Sequence, residues 1–104
     1  MRLAMTCIVR PQRAEILCQR LWESGWIEDL TAAEIRGCGR QKGHLDSYTG
    51  DEYHLDVLPK VAITGVLEAE HLRAVGDLIC TVSRTGRIGD GKVFFRRIEG
   101  EYEA

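Results

Sequence analysis

The order of hydrophobic periodicities along the chain restricts its fold to very few architectures. Residues 2–9 alternate as a half-buried strand does, with one face formed by Leu3, Met5, Cys7 and Val9. An amphipathic helix is predicted next, because Pro11 suits a first helical turn and Gly25 is a plausible stop. Apolar residues at helical spacing lie between them, namely Ala14, Leu17, Cys18 and Leu21. The chain therefore begins with a strand and a helix.

The rest of the chain repeats this order around a long polar stretch. Strands are predicted at residues 30–35, 57–67 and 93–98, and a second amphipathic helix at residues 68–83. Residues 37–56 form the polar stretch, which shows no periodicity, and loops of this length are usually functional or disordered. The order β-α-β-β-α-β predicts one α+β domain over residues 1–104, with a ferredoxin-like fold.

The predicted antiparallel sheet would have helices on only one of its two faces. The other face must then contact water or a partner, and strands this apolar favour a partner. The pattern therefore favours a homo-oligomer.

Charge and composition exclude several classes of function. The net charge of −2 and the pI of about 5.9 give no field that would attract nucleic acid or acidic membranes. No segment approaches the roughly 20 apolar residues of a membrane span, and the N-terminus lacks a signal-peptide pattern. A cytoplasmic protein is therefore expected.

The four cysteines do not have the spacing of a zinc or redox motif. Cys7, Cys18 and Cys80 fall among apolar positions and are expected to be buried. Cys38 lies between two glycines and is expected to be more exposed.

A glycine-rich turn, residues 85–92, holds three glycines and ends on Lys92. Glycines allow backbone N–H groups to approach an anion closely, and the lysine adds a positive charge, which is suitable chemistry for a nucleotide phosphate. The P-loop pattern is not satisfied, because valine follows Lys92 and no helix begins there. A simple hairpin or strand-entry turn is the alternative.

Three further groups of side chains are interpreted as structural. The histidine spacings fit no metal-ligand pair, so surface histidines are expected. The acidic residues of the polar stretch lack rigid support and are expected to be solvated rather than hydrolytic. Two tryptophans at the end of the first helix are expected to pack in the core or at a subunit interface. These residues are His44, His54, His71; Asp51, Glu52, Asp56; and Trp22, Trp26.

Five motifs, taken together, resemble the PII signal-transduction family across almost the whole chain. They are Ile8–Pro11, Gly37–His44, Tyr48–Tyr53, Leu58–Lys60 and Thr85–Lys92, in the family's order and spacing. The resemblance implies a ferredoxin-like homotrimer that binds adenine nucleotides between its subunits and is regulatory rather than enzymatic. It also implies that the polar stretch, residues 37–56, is the T-loop that docks onto a partner protein.

The resemblance also implies which residues form the binding sites. Phosphates would meet the glycine-rich turn and a second cation, and the nucleoside would lie in a pocket of small residues. The nucleotide-binding positions are Thr31, Gly37, Cys38, Arg40, Thr64, Val66, Gly89, Asp90, Gly91 and Lys92. Gln41 and Lys60 would bind a small anion, with Mg²⁺ as an open question, and Tyr53 matches a position of possible modification.

Departures from the family pattern suggest a divergent branch. The chain stops at Ala104, where typical members continue into an Arg-x-Arg pair that binds phosphates, so ADP or AMP is expected to compete well with ATP. Thr64 replaces a glutamate that commonly meets adenine, and Thr49 and Asp51 alter the modification motif around Tyr53. These features resemble the carboxysome-associated PII-like proteins.

That branch favours bicarbonate as the second ligand, with 2-oxoglutarate as the alternative. The expected partner is an unidentified protein target of the T-loop, for which a membrane transporter is one candidate, and no nucleic acid is expected. Two other functions stay open. One is a conventional nitrogen-regulatory PII protein that senses ATP and 2-oxoglutarate, and the other is a small nucleotide-hydrolysing enzyme of the same fold.

Overall fold

A computed structural model describes the backbone of residues 1–42 and 53–104, and the side chains of residues 1–38 and 57–104. The elements are β1 (Arg2–Val9), α1 (Pro11–Ser24), β2 (Glu28–Lys42), β3 (Tyr53–Glu68), a 3-10 turn (Ala69–His71), α2 (Leu72–Ser83) and β4 (Gly91–Arg97). The four strands form one antiparallel sheet in the order β2-β3-β1-β4. The predicted α+β, ferredoxin-like fold is confirmed.

The first helix has the predicted boundaries. It begins at Pro11, whose missing N–H would lack a partner in the first turn of any helix. It ends at Ser24 and is capped by Gly25, which adopts a left-handed conformation with φ of 72° and donates its N–H to the Trp22 carbonyl at 3.3 Å. The second helix is shorter than predicted, because residues 69–71 form a 3-10 turn and α2 starts at Leu72.

Strands β2 and β3 are much longer than the predicted ranges 30–35 and 57–67. They pair from Glu28 opposite Val66 to Lys42 opposite Tyr53, with a register shift before Thr31, so both ends of the polar stretch belong to a β ladder. The prediction of a loop over the whole of residues 37–56 is therefore wrong at its ends. Ladder hydrogen bonds join backbone groups, so this pairing needs no alternation of apolar side chains.

The hydrophobic core lies between the sheet and the two helices. The predicted apolar face of β1 is buried there, as are Val61, Ile63 and Leu67 of β3. Leu17 and Leu21 of α1 and Val75 and Ile79 of α2 pack against them. The core is therefore formed by alternating strand positions and helical stripes, as periodicity predicts. The exception is Leu72, which is predicted to share the stripe of the second helix with Val75 and Ile79 but is exposed.

Not every predicted burial is correct. Cys7 is buried and Cys18 is half-buried, but Cys80 is exposed, so that part of the prediction is wrong. Residues 75, 79 and 83 form the buried stripe of α2, and the position after 79 is turned about 100° away from it. Cys38 is exposed, as expected.

The two tryptophans differ in their packing. Trp22 is 73% exposed within the chain, so its predicted packing in the core is wrong, and a subunit interface remains a prediction. Trp26 packs against the core and stacks on His71, with ring centroids 5.7 Å apart. His71 is thus partly covered rather than a plain surface histidine. The side chains of His44, Asp51, Glu52, His54 and Asp56 lie outside the described residues.

The sheet face opposite the helices is called the open face here, and its central residues are Ala4, Thr6, Ile8, Ala62 and Thr64. These side chains are only partly exposed, because neighbouring strands shield one another. Both described helices of eight or more residues lie on the other side of the sheet, against the core. Neither of them is long and apolar enough to cross a membrane.

Candidate functional site

The glycine-rich turn joins α2 to β4 and meets the end of β1. Gly91 begins β4 and pairs with Val9, the last residue of β1. Its φ is 147°, and a Cβ there would lie 2.6 Å from the Ile8 carbonyl oxygen. Only glycine fits so close to another backbone, so this position fixes where the turn meets the sheet.

The Asp90 carboxylate organises the turn from within. It accepts hydrogen bonds from the backbone N–H groups of Thr85 at 2.7 Å and Gly86 at 3.0 Å, and from the Thr85 hydroxyl. These hydrogen bonds from Thr85, with help from Arg10, hold the pKa of the Asp90 carboxyl well below its usual range. The side chain of this predicted phosphate-site residue is thus engaged inside the turn.

Two cations hold the turn from outside. Arg10 donates from Nε to Asp90 Oδ1 at 3.2 Å and from Nη2 to the Ile88 carbonyl at 2.7 Å. Lys60 donates from Nζ to the Gly89 carbonyl at 2.9 Å. Partial burial, and then the charge of Arg10, lower the pKa of the Lys60 ammonium. Arg10 belongs to the Ile8–Pro11 motif, but no pattern in the sequence predicted a role for its side chain.

A cavity of about 350 Å³ opens beside the turn on the open face. This volume is in the usual range for small-molecule sites, about 300–1,000 Å³. Six of its lining residues are predicted site residues, and three apolar ones are not. The six are Gly37, Cys38, Lys60, Gly89, Gly91 and Lys92, and the three are Ile8, Leu58 and Phe94. Ile8 and Leu58 lie in two of the five motifs that resemble the family, so the sequence offered a signal for these two residues.

Phe94 forms an apolar wall beside the principal cation of the cavity. Lys92 Nζ lies 5.8 Å from the centre of the Phe94 ring, within the range of a cation–π contact. The cavity therefore combines two ammonium groups, glycine backbone and apolar walls. Such a lining can hold an anionic group at one end and a flat or apolar group at the other.

Three predicted nucleotide residues lie elsewhere on the chain. The hydroxyls of Thr31 and Thr64 are 2.5 Å apart across the β2–β3 ladder, and Val66 lies further along β3. The Thr31–Thr64 pair is four ladder positions from Lys60, which is about 13 Å along a strand. These residues do not line the cavity within one protomer.

Three other predicted residues are described only by their backbone. Arg40 pairs with Leu55, Gln41 with His54, and Lys42 with Tyr53 in the extended β2–β3 ladder. The side chains of Arg40, Gln41 and Tyr53 lie outside the described residues. Among the side chains that are described, no group of three or more His, Cys, Asp or Glu residues could hold a metal ion.

Comparison with known proteins identifies a family and several similar proteins. Residues 3–101 match the model of the family described as Nitrogen regulatory protein P-II. The nitrogen regulatory protein P-II of Rhizobium meliloti (strain 1021) is 42% identical over 92 residues, which cover 88% of this chain and 81% of that protein. The nitrogen regulatory protein GlnK of Escherichia coli (strain K12) is 39% identical over 95 residues, covering 91% and 84%.

Solved structures give the same result at the level of the fold. The structure of B. subtilis GlnK matches with a TM-score of 0.74 and 31% identity, covering 94% of this chain and 85% of that one. A structure of the B. subtilis GlnK-ATP complex also matches with a TM-score of 0.74, at 28% identity, covering 93% and 81%.

Proposed function

This chain belongs to the P-II family of nitrogen regulatory proteins, and we propose that it senses adenine nucleotides together with a small carbon-status anion. The observation that carries the proposal is the cavity, where the glycine-rich turn, Gly37, Lys60 and Lys92 meet. A solved complex of a similar protein, B. subtilis GlnK, with ATP supports an adenine nucleotide as the first ligand.

The phosphates would bind the turn and Lys92, and the nucleoside would contact the apolar walls. Backbone N–H groups at the glycine-rich turn that the ladder leaves unpaired, and the Lys92 ammonium, are suitable donors for phosphate oxygens. A preference for ADP or AMP over the more highly charged ATP is part of the proposal, because Lys92 is the one cation besides Lys60 that the described cavity lining offers the phosphates.

We propose that the site is completed by a second copy of the chain in a homotrimer. Thr31, Thr64 and Val66 would contact the base and ribose, but they lie about 13 Å or more from Lys60 within one protomer. A neighbouring copy packed on the open face could bring these residues to the cavity. Arg40 would then supply the second phosphate cation.

The second ligand is proposed to bind Lys60 and Gln41, with or without Mg²⁺. Bicarbonate is favoured and 2-oxoglutarate is the alternative, which would make the chain a conventional nitrogen-regulatory member. Lys60 is suited to either anion because its ammonium borders the cavity and is only partly buried. Releasing the Gly89 carbonyl to bind the anion would link that ligand to the turn.

The signal is proposed to pass through the T-loop in a cytoplasmic protein. Ligands at the base of residues 37–56 would order the loop and change its fit to a partner protein, of which a membrane transporter is one candidate. Covalent modification of Tyr53 would regulate the contact between the T-loop and its partner in a second way. Hydrogen exchange over residues 40–56 with and without ligands tests this switch, and equal exchange in both states would contradict it.

Calorimetry separates the parts of this proposal. AMP, ADP and ATP are titrated into the protein with and without bicarbonate or 2-oxoglutarate. Lys60→Ala should abolish the response to the anion while sparing much of the nucleotide affinity, whereas Lys92→Ala should weaken the nucleotide itself. A change of less than about twofold in nucleotide affinity with either anion, about 0.4 kcal/mol of coupling, would remove carbon sensing and leave a nucleotide sensor.

A regulatory role is proposed in preference to hydrolysis. The described residues that line the cavity include no carboxylate or imidazole that could serve as a general base. Incubation with ATP and Mg²⁺ tests the alternative, since turnover at typical enzyme rates of about 1–1,000 s⁻¹ would establish an enzyme.

A further inference from the structure

Arg10 joins the end of β1 to both halves of the glycine-rich turn. Its Nε donates to Asp90 Oδ1, and the same carboxylate holds the N–H groups of Thr85 and Gly86 through Oδ2. Its Nη2 donates to the Ile88 carbonyl. One side chain thus contacts the tip of the turn directly and its start through Asp90.

The Arg10 guanidinium makes these contacts within the turn and does not border the cavity. The Arg10 and Asp90 side chains are 22% and 19% exposed, so the pair is largely withdrawn from water. Arg10 is not among the residues that line the cavity, whereas Lys92 is. The positive charge of Arg10 is balanced by Asp90, and that of Lys92 borders the space proposed for phosphate.

We infer that Arg10 is a positioning residue for nucleotide binding, which acts by fixing the backbone of the glycine-rich turn. Arg10 directly follows Val9, whose ladder partner is Gly91, so the turn is held in register with the strand that carries Lys92. A planar fork can contact a carboxylate and a carbonyl at the same time, which a lysine ammonium does less well. This inference rests on the proposed nucleotide site and adds a residue to it.

The experiment compares Arg10→Met, Arg10→Lys, Asp90→Asn and the double variant Arg10→Met/Asp90→Asn. Arg20→Met is the matched control, because Arg20 is an exposed arginine of α1, the helix that directly follows Arg10. ADP and adenosine are titrated by calorimetry at several salt concentrations, and hydrogen exchange is followed at residues 85–91. Light scattering and circular dichroism confirm that each variant keeps the assembly and fold of the wild type.

We expect Arg10→Met to weaken ADP binding about tenfold, and Arg10→Lys to weaken it less. Adenosine binding should not change, because adenosine has no phosphate. The salt dependence of ADP binding should stay as in the wild type in Arg10→Met/Asp90→Asn, which removes both charges of the pair, whereas Lys92→Ala should reduce it. Exchange at the Thr85 and Gly86 amides should accelerate, and Arg10→Met should cost less in the Asp90→Asn background than in the wild type.

ADP binding by the wild type distinguishes an error in the proposed function from an error in the role of Arg10. A wild-type protein that does not bind ADP would overturn the proposed function and, with it, the role of Arg10. Normal ADP binding by the wild type together with unchanged affinity and exchange in Arg10→Met would overturn this inference alone. Equal loss of adenosine and ADP in Arg10→Met, or a reduced salt dependence in Arg10→Met/Asp90→Asn, would also contradict positioning through the turn.

Discussion

At the scale of single residues, Lys92 and Asp90 have opposite charges and different tasks in one turn. Lys92 borders the cavity, whereas the Asp90 carboxylate is directed into the turn and accepts its N–H groups. A carboxylate facing the cavity would repel phosphate, but here it fixes the backbone whose remaining N–H groups can donate. The proposed site therefore depends on both residues for different reasons.

The first prediction concerns the charge of Lys92. Lys92→Ala should weaken ADP binding by about 1.5–3 kcal/mol if the ammonium pairs with a phosphate. Glu103→Ala is the control, since this exposed residue lies in the segment after β4. Calorimetry that gives unchanged dissociation constants for both variants would mean that the turn is only a connection between α2 and β4.

The second prediction concerns pH and Asp90. Its pKa is lower in the folded protein than the ordinary value near 4, so its ionised form stabilises the fold above about pH 4. That contribution is lost as the pH falls below this value. The difference in free energy of unfolding between wild type and Asp90→Asn should therefore be largest near neutral pH and shrink towards pH 3, measured by urea denaturation.

Urea curves at one fixed protein concentration hold the mass-action contribution of assembly to stability at the same concentration for both proteins. A difference between the two proteins that stays constant from pH 7 to pH 3 would show that the ionised carboxylate does not stabilise the turn.

At the scale of elements, the junction of α1, β2 and β3 depends on a position without a side chain. Gly65 of β3 pairs with Met5 of β1 and lies beneath Ile27, which is buried. A Cβ at Gly65 would lie 2.4 Å from Ile27 Cγ2 and 3.3 Å from the Glu28 carbonyl oxygen. Ile27 is β-branched and cannot turn away easily, so the strand must carry glycine here.

The third prediction follows from this contact. Gly65→Ala should lower the free energy of unfolding by about 1–3 kcal/mol, as overpacking of a core does. Gly100→Ala is the matched control, because a Cβ there would meet nothing within 4 Å. Equal urea midpoints for the two variants would show that Ile27 relaxes at no cost.

At the scale of the whole molecule, the open face and the separated site residues both favour assembly. Thr31 and Thr64 lie on the sheet far from the cavity of their own protomer. The open face carries small and apolar side chains such as Ala4, Ile8 and Ala62. Packing of copies on this face would cover apolar surface and complete the proposed site together.

The fourth prediction tests this assembly. Light scattering should give a molar mass near three times the 11.7 kDa chain. Ala62→Arg, at the centre of the open face, should lower the molar mass and weaken ADP binding together, because a buried charge without a partner is costly. Thr81→Arg, on the exposed side of α2, should change neither. A monomer that binds ADP with full affinity would contradict a site shared between copies.

The sequence by itself determined the order of elements, the buried faces and the position of the glycine-rich turn. Strand and helix periodicities report which side of each element meets the core, and this local property placed the buried face of β1 and the residues Val75 and Ile79 of α2 correctly, but not Leu72. Motifs in the sequence also named Gly37, Lys60, Gly89, Gly91 and Lys92 as candidate site residues, and these five line one cavity; their role in binding stays a prediction.

Only the tertiary structure decided how far β2 and β3 extend, where the Asp90 carboxylate points and that Arg10 holds the turn. Arg10 and Asp90 are 80 positions apart, and the β2–β3 ladder joins polar residues through their backbones. Such contacts leave no periodic signal in the sequence, because they depend on how separate elements pack rather than on which face of one element is apolar. The distance of Thr31 and Thr64 from the cavity is likewise set by the register of the strands, so the sequence pattern did not reveal it.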